Sequence, residues 1–543
     1  MSDKRNVLIL FTDQQRYDTV NAAGYPHMIT PNLDRLAAEG CLYANAHSTN
    51  PVCMPARHDL LTGLPGRAHG YFTNSRQTIK DYSLPTIPRI FSENGYRTAA
   101  IGKMHFRPAR MHHGFGEMFL MEELPKCRQD DQYATFLEAE GLGHIQNIHG
   151  VRPHIYNLPQ NSQMDEAHHG STWVANKTID WLKTNKNKPF FVMAGWISPH
   201  PPWHLPPEYQ GLYRGRDLPE PVPLSRSYPF AREKNEWFGD LDTPEEKRRI
   251  REAYYASITM VDRNIGRVLD YLRDENLIEN TLVIFTSDHG EMLQDKGFYT
   301  KQLPYDGSVR IPCIVRYPER FTPGAVREEF ADLFDIMPTC LDVCGLAYNG
   351  DKYKLPGESL CATAPQRDRN FQVSSFGIGL ERWVMCRNKR YKYIYNYNRG
   401  AEELYDMLDD PGETVNLMEA GNYPAEEHRA LKQKALEYER AWGPEGLADG
   451  DAFTVLDGEE FHPNIYAKRS FWQNQQLQYF DERSNEERGR AFIREIQHAY
   501  ANDGNAGRAL SEVFNDPEWR ESFREHWRKF GTGTEIEDLL FKK

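Results

Sequence analysis

The run Asn6-Val7-Leu8-Ile9-Leu10-Phe11 breaks off into Thr12-Asp13-Gln14-Gln15-Arg16. A short apolar run without polar alternation is what a strand covered on both faces requires, and such strands belong to parallel sheets. Working outward, residues 98–101, 190–194, 282–285 and, more briefly, 313–315 repeat the pattern. Between them lie amphipathic segments at 172–182 and 245–273, the latter with Ile258, Val261, Ile265, Val268 and Leu272 at helical spacing. This alternation predicts an α/β fold with a large, mostly parallel central sheet flanked by helices.

Beyond about residue 377 the pattern changes. Residues 383–387, a turn at Asn388-Lys389 and residues 391–395 alternate as antiparallel strands do, and a helix is expected over 424–441. The expected organisation is a catalytic domain over 1–375, a small antiparallel-sheet subdomain with its helix over 376–442, a Gly-rich acidic linker over 443–458, and a helical tail over 459–543. Phe471, Trp472, Tyr479, Phe480, Trp519, Phe523 and Trp527 make that tail too aromatic to stand alone, so it is expected to pack on the body or to join subunits into a homo-oligomer.

Composition narrows the partners. The 543 residues are 39% apolar and 26% charged, with a net charge of −13, which argues against nucleic acid and against an anionic membrane surface. Residues 1–110 run the other way, with 13 Lys and Arg against 8 Asp and Glu. The first apolar run is too short for a signal peptide or a membrane span, and the 8 cysteines form no C-x-x-C pair. Both observations suggest a cytoplasmic chain with reduced thiols.

Polar residues follow each predicted strand: Asp13 and Gln14, then Lys103 and His105, then His200, then Asp288 and His289. Ligands in open α/β sheets bind beyond the carboxyl ends of the strands, so these side chains should meet at one edge. Asp13, Gln14, Asp288 and His289 offer two carboxylates, an amide oxygen and an imidazole. Ca²⁺ is the first expectation for such a set, with Mg²⁺ or Mn²⁺ also compatible. Gly290, after His289, is read as permitting the turn that brings Asp288 and His289 to one ion. Arg57, Lys103, His105, His200 and Lys301 form a cationic set suited to an oxyanion that gains charge.

The segment from Asn50 to Gly63 predicts a tight turn into a short helix, with Pro55 at the first helical position and Gly63 at the end. Cys53 then sits at a helix N-terminus with Arg57 one turn along. A phosphatase-type thiolate would need Arg six positions after the cysteine, where this chain has Asp59.

Cys53-x-Pro55-x-Arg57 followed by Leu60-Leu61-Thr62-Gly63 resembles the signature of the formylglycine-dependent (type I) sulfatases of the alkaline-phosphatase-like superfamily. The resemblance extends through Thr30-Pro31-Asn32-Leu33-Asp34-Arg35-Leu36, Gly102-Lys103-Met104-His105, Ser198-Pro199-His200-Pro201-Pro202, Ser287-Asp288-His289-Gly290-Glu291 and Lys301 with Tyr305–Pro312, and covers roughly residues 5–440. It implies hydrolysis of a sulfate monoester, one divalent cation, and conversion of Cys53 to formylglycine by a maturation enzyme. It also implies a hydrated aldehyde that attacks sulfur through one hydroxyl, His200 with Lys301 at the leaving alcohol, and His105 taking the proton of the second hydroxyl to expel sulfate. Arg57 would hold the diol and the metal ligands, and Lys103, His200 and Lys301 would bind the substrate.

Gln14 and His289 stand where the commoner pattern has Asp and Asn, an arrangement shared with some sulfatases and with phosphonate monoester and phosphodiester hydrolases. Those hydrolases are the alternative expectation, and a binding protein with unmodified Cys53 is a remoter one. The substrate is expected to be a small-molecule or oligosaccharide sulfate ester, with a sulfated carbohydrate preferred. Arg16, Arg107, Arg110, His112, His113, Trp203 and His204 flank the motifs as candidate pocket residues.

Overall fold

The computed structural model describes residues 4–75, 77–125, 128–152, 157–223, 243–362, 368–458, 494–495 and 497–499. Eight strands form the main sheet: β1 (Asn6–Asp13), β2 (Cys41–His47), β3 (Arg97–Gly102), β4 (Glu117–Leu120), β5 (Phe190–Pro199), β6 (Thr281–Ser287), β7 (Cys313–Arg316) and β8 (Ala325–Asp332). Their order is β8-β2-β7-β6-β1-β5-β3-β4. Only β7 runs against its neighbours; the other pairings are parallel.

β1 explains the arrangement. Val7, Ile9 and Phe11 enter the core on one face and Leu8 and Leu10 the core on the other, all fully buried. Helices α1 (Pro31–Glu39), α3 (Gly170–Asn185) and α4 (Pro244–Asp274) cover the Leu8 side, while α2 (Cys53–Thr62) covers the Val7 side. All five strands expected from the sequence are present, and the two long amphipathic segments are α3 and α4. β1 lies between β5 and β6, with β3 next to β5, so the four polar strand ends are neighbours.

The small sheet is an antiparallel meander of β9 (Gln372–Phe376), β10 (Trp383–Arg387), β11 (Tyr391–Asn396) and β12 (Ala401–Asp406). One face takes α5 (Ala425–Trp442) through Leu431, Ala435 and Leu436. The other face presents Trp383, Met385, Ile394 and Tyr405 to Val52, Met292, Tyr305 and Val309 of the larger body. Buried charges join the two as well: Asp306 lies 3.1 Å from Arg387 and 2.7 Å from Lys392. The small sheet therefore props up the segment that precedes Cys53.

The Gly-rich stretch read as a linker lies on this sheet, where Phe453 stacks on Tyr395 at 4.2 Å between centroids. Of the tail, Glu495 is buried and accepts hydrogen bonds from the Gln146 and Asn147 amides at 2.7 and 3.2 Å. The tail aromatics named above lie outside the described residues. No helix among the described residues is long and apolar enough to cross a membrane.

Candidate active site

The strand ends meet as expected. One ligand atom each from Asp13, Cys53, Asp288 and His289 lies within 4.8 Å of the others, and all four residues are buried. Gln14 adopts a left-handed φ of 68°, unusual outside glycine, which turns its side chain into the group beside Asp13. Its amide nitrogen donates to Glu291, so Oε1 is the atom left for the site. His289 is oriented the same way: Nδ1 lies 2.9 Å from the Gly290 carbonyl, which fixes that nitrogen as the donor and presents the Nε2 lone pair 3.3 Å from Cys53 Sγ. Burial, then Lys301, pushes the His289 imidazole down to about 3, so it stands neutral. Two carboxylates and a neutral imidazole nitrogen converge beside Cys53, and with the amide oxygen of Gln14, next in sequence to Asp13, they offer a donor set that fits a divalent cation.

Helix α2 begins at Cys53 itself, which moves Pro55 to the third helical position; Val52 supplies the extended residue before it. Gly63 ends the helix with a φ of 65°, as the sequence implied. Arg57, fully buried, donates to Asp13 at 2.8 Å, to Asp288 at 3.1 Å and to the Lys103 carbonyl at 2.7 Å. It thus holds both carboxylates in place. Gly290 turns out to serve close approach, since a Cβ there would stand 2.0 Å from the Gly307 carbonyl oxygen.

The cations pack against these same groups. Lys103 Nζ lies 2.6 Å from Asp13, His200 Nε2 lies 2.8 Å from Lys301 Nζ, and Lys301 donates to Gln14 Oε1 at 2.5 Å. His200 Nδ1 faces the Pro201 carbonyl at 2.7 Å, leaving Nε2 to face the site. Burial raises Asp13, but Lys103, His200 and Arg57 outweigh it and hold the carboxylate well below its ordinary range. Asp288 is pushed up to about 7 by burial and then by Asp13. The Cys53 thiol, pushed up to about 12 by burial and by Asp13, is protonated at neutral pH and is a weak nucleophile in that state. His105 has a left-handed φ of 59° and its amide donates to Glu122 at 2.9 Å. Its Nδ1 has no hydrogen-bond partner among the described residues.

Residues that strand-end reasoning missed stand behind these. Glu123 lies 2.6 Å from Lys103 and 2.5 Å from Arg152. Glu122 receives the Met104 and His105 amides, and Glu291 orients Gln14. Their one sequence signal is two successive acids one residue beyond a short strand and one acid directly after Asp288-His289-Gly290. The candidate pocket residues fare differently. Arg16 is committed to Asp18 and Asp295, Trp203 donates into the core at Pro199, His113 meets His58 edge-on, and His204 packs against His169. Arg110 and His112 bond locally to the Gln129 and Phe115 carbonyls. Arg107 lies half-buried two residues beyond His105.

Comparison with known proteins agrees with this geometry. The sulfatase family matches residues 5–346, and the C-terminal region of N-sulphoglucosamine sulphohydrolase matches residues 294–441. An arylsulfatase of Clostridium perfringens is 31% identical over 481 residues, covering 82% of this chain and 97% of its own. An N-acetylglucosamine-6-O-sulfatase of Bacteroides thetaiotaomicron is 26% identical over 503 residues, covering 79% and 84%. The phosphonate monoester hydrolase of Agrobacterium radiobacter shares the fold, with a TM-score of 0.70 at 24% identity over 81% of this chain and 96% of its own. With the family match over most of the chain and the carboxylate, cysteine and lysine elements brought to one sheet edge, this chain belongs to the sulfatase family of the alkaline-phosphatase-like superfamily and is a sulfuric ester hydrolase.

Proposed function

We propose that the enzyme hydrolyses a sulfate monoester of a carbohydrate, using formylglycine formed from Cys53 and one divalent cation, Ca²⁺ in the first instance. The carrying observation is the position of Cys53 Sγ, 3.3 Å from His289 Nε2 and 3.8 Å from Asp13 Oδ1, with Lys103 on Asp13 and Lys301 on Gln14. Asp13, Gln14, Asp288 and His289 would hold the cation, which supplies charge neutralisation and activates an oxygen nucleophile. A hydrated aldehyde at position 53 supplies two geminal hydroxyls, one for attack on sulfur and one for release of sulfate.

The remaining roles follow from side chains in place. Arg57 keeps the two metal carboxylates oriented. Lys103 and Lys301 offer ammonium hydrogens to the sulfate oxygens, where negative charge grows. His200, whose Nδ1 donates to the Pro201 carbonyl, takes a proton at Nε2 from Lys301 Nζ and passes it to the leaving alcohol oxygen, and His105 takes one from the second hydroxyl. The N-acetylglucosamine-6-O-sulfatase relative supports a carbohydrate ester.

Gln14 and His289 also suit the phosphonate monoester and phosphodiester reading. Lys103, His105 and His200 favour the sulfate monoester, because Lys103 places positive charge where a sulfate group would lie and the two imidazoles serve its proton transfers. The test is one preparation assayed on sulfated saccharides, aryl sulfates, choline sulfate and a phosphonate monoester, with mass analysis of the Cys53 peptide and of bound metal. Preference for a saccharide sulfate, with the aldehyde present, supports the reading. Faster phosphonate hydrolysis, or full activity with an intact thiol, overturns it.

A further inference from the structure

We infer that Glu123 is a positioning residue that holds Lys103 for the sulfate group, with Arg152 as its anchor. The inference rests on Lys103 being a sulfate contact. Lys103 is fully buried, and its Nζ stands between two carboxylates at the same distance, 2.6 Å from Asp13 Oδ2 and 2.6 Å from Glu123 Oε2. An ammonium has three hydrogens, so two are directed at carboxylates and the third is the one a sulfate oxygen can accept. Without Glu123, Asp13 would be the one carboxylate drawing Lys103, and the lysine would settle onto a metal ligand.

A carboxylate so close to a sulfate site would repel the substrate unless its charge were neutralised. Arg152 does this: its Nη2 lies 2.5 Å from Glu123 Oε1, and both residues are buried. The same Oε1 lies 3.7 Å from His200 Nε2, so Glu123 touches the leaving-group side as well. The residue before it completes the cradle, because Glu122 Oε1 accepts the Met104 amide at 3.0 Å and the His105 amide at 2.9 Å. Two successive acids after β4 thereby fix the side chain of Lys103 and the backbone of His105, from a loop that contributes no group to the reaction itself.

The test is a double-mutant cycle on kcat/KM, with 4-nitrophenyl sulfate or the best saccharide sulfate of the panel. Glu123→Gln is expected to cost about 10–100-fold, the range for groups that orient an active-site residue, with metal content unchanged. Lys103→Met should cost more, and the double variant should be no worse than Lys103→Met alone, since both changes act through one ammonium. Arg152→Gln should give a smaller loss that Lys103→Met also absorbs, and it serves the cycle if Glu123→Gln does not fold. Losses that multiply, or a Glu123→Gln enzyme within about twofold of wild type, overturn the inference. A Lys103→Met enzyme with full activity overturns both it and the underlying role of Lys103, so the two failures are told apart.

Discussion

Helix α2 carries two buried groups of acids and bases on different sides, and they have opposite electrostatic characters. On one side Arg57 donates to Asp13 and Asp288 beside Cys53, with Lys103 adjacent. On the other, Asp59 lies 2.7 Å from His69 Nε2 and 2.5 Å from Thr49 Oγ1, among the rings of His58, Tyr71 and Phe106. Burial drives the Asp59 carboxyl well above its ordinary range and the His69 imidazole down to about 3. Both shifts favour the uncharged forms, a carboxylic acid hydrogen-bonded to a neutral ring. No arginine or lysine faces Asp59 in an ion pair among the described residues, whereas Asp13 faces two. Equal burial thus yields a charged, metal-ready site where fixed cations stand and an uncharged structural hydrogen bond where they do not.

The sharpest way to break this comparison is at the nucleophile. Cys53→Ser should take up sulfate once and then stop, with steady turnover down at least about 10⁴-fold, the scale on which nucleophile losses are seen; intact-mass analysis after substrate addition reads the trapped ester, and steady multiple turnover contradicts the geminal-diol account. Next comes the metal. Chelation should abolish activity and Ca²⁺ should restore it, while Asp13→Asn should show reduced metal content on elemental analysis. His200→Gln is expected to cost about 10²-fold on an alkyl or saccharide sulfate and less on an aryl sulfate, whose leaving group needs little protonation. Equal losses on both would remove His200 from the leaving-group side.

The smallest effect belongs to the neutral pair. Asp59→Asn should leave kcat unchanged and shift stability by no more than about 1 kcal/mol near pH 4. The pH dependence has a definite sign. A carboxyl raised in the folded state binds its proton more tightly than in the unfolded chain, so wild type loses stability as pH rises above the unfolded value near 3.8 toward the folded one. The amide of the Asp59→Asn variant cannot ionise, so thermal melts should show the variant gaining on wild type with rising pH. A gap that stays flat, or that reverses, means Asp59 is ionised in the fold.

Much of this site was readable because strand ends in a parallel sheet are neighbours whatever the loops do. Asp13, Lys103, His200 and Asp288 each follow an apolar run, and their convergence needed only β1, β3, β5 and β6 to lie side by side. Pro55 misled because proline tolerates any position in the first helical turn, where its missing N–H has no partner to lose. Gly290 was read as a turn residue, yet its constraint is the passing Gly307 carbonyl, which no local pattern shows. Arg16 and Trp203 looked like pocket residues by proximity in sequence, and the fold pointed them into ion pairs and core.

The sequence by itself determined the α/β architecture, the strand-end residues, the cysteine at a helix start and the family. These depend on local periodicity and on short motifs, which the chain carries in contiguous residues. The tertiary structure alone decided which amide atom of Gln14 and which nitrogen of His289 face the site, that Asp13 is charged while Asp59 is not, and that Glu123 shares Lys103 with Asp13. The partners come from as near as Gly290 beside His289 and as far as Glu291, 277 residues from Gln14, with Glu123 standing 20 residues from Lys103. Electrostatic energy depends on distance in space and on burial, and neither is written in the order of the residues.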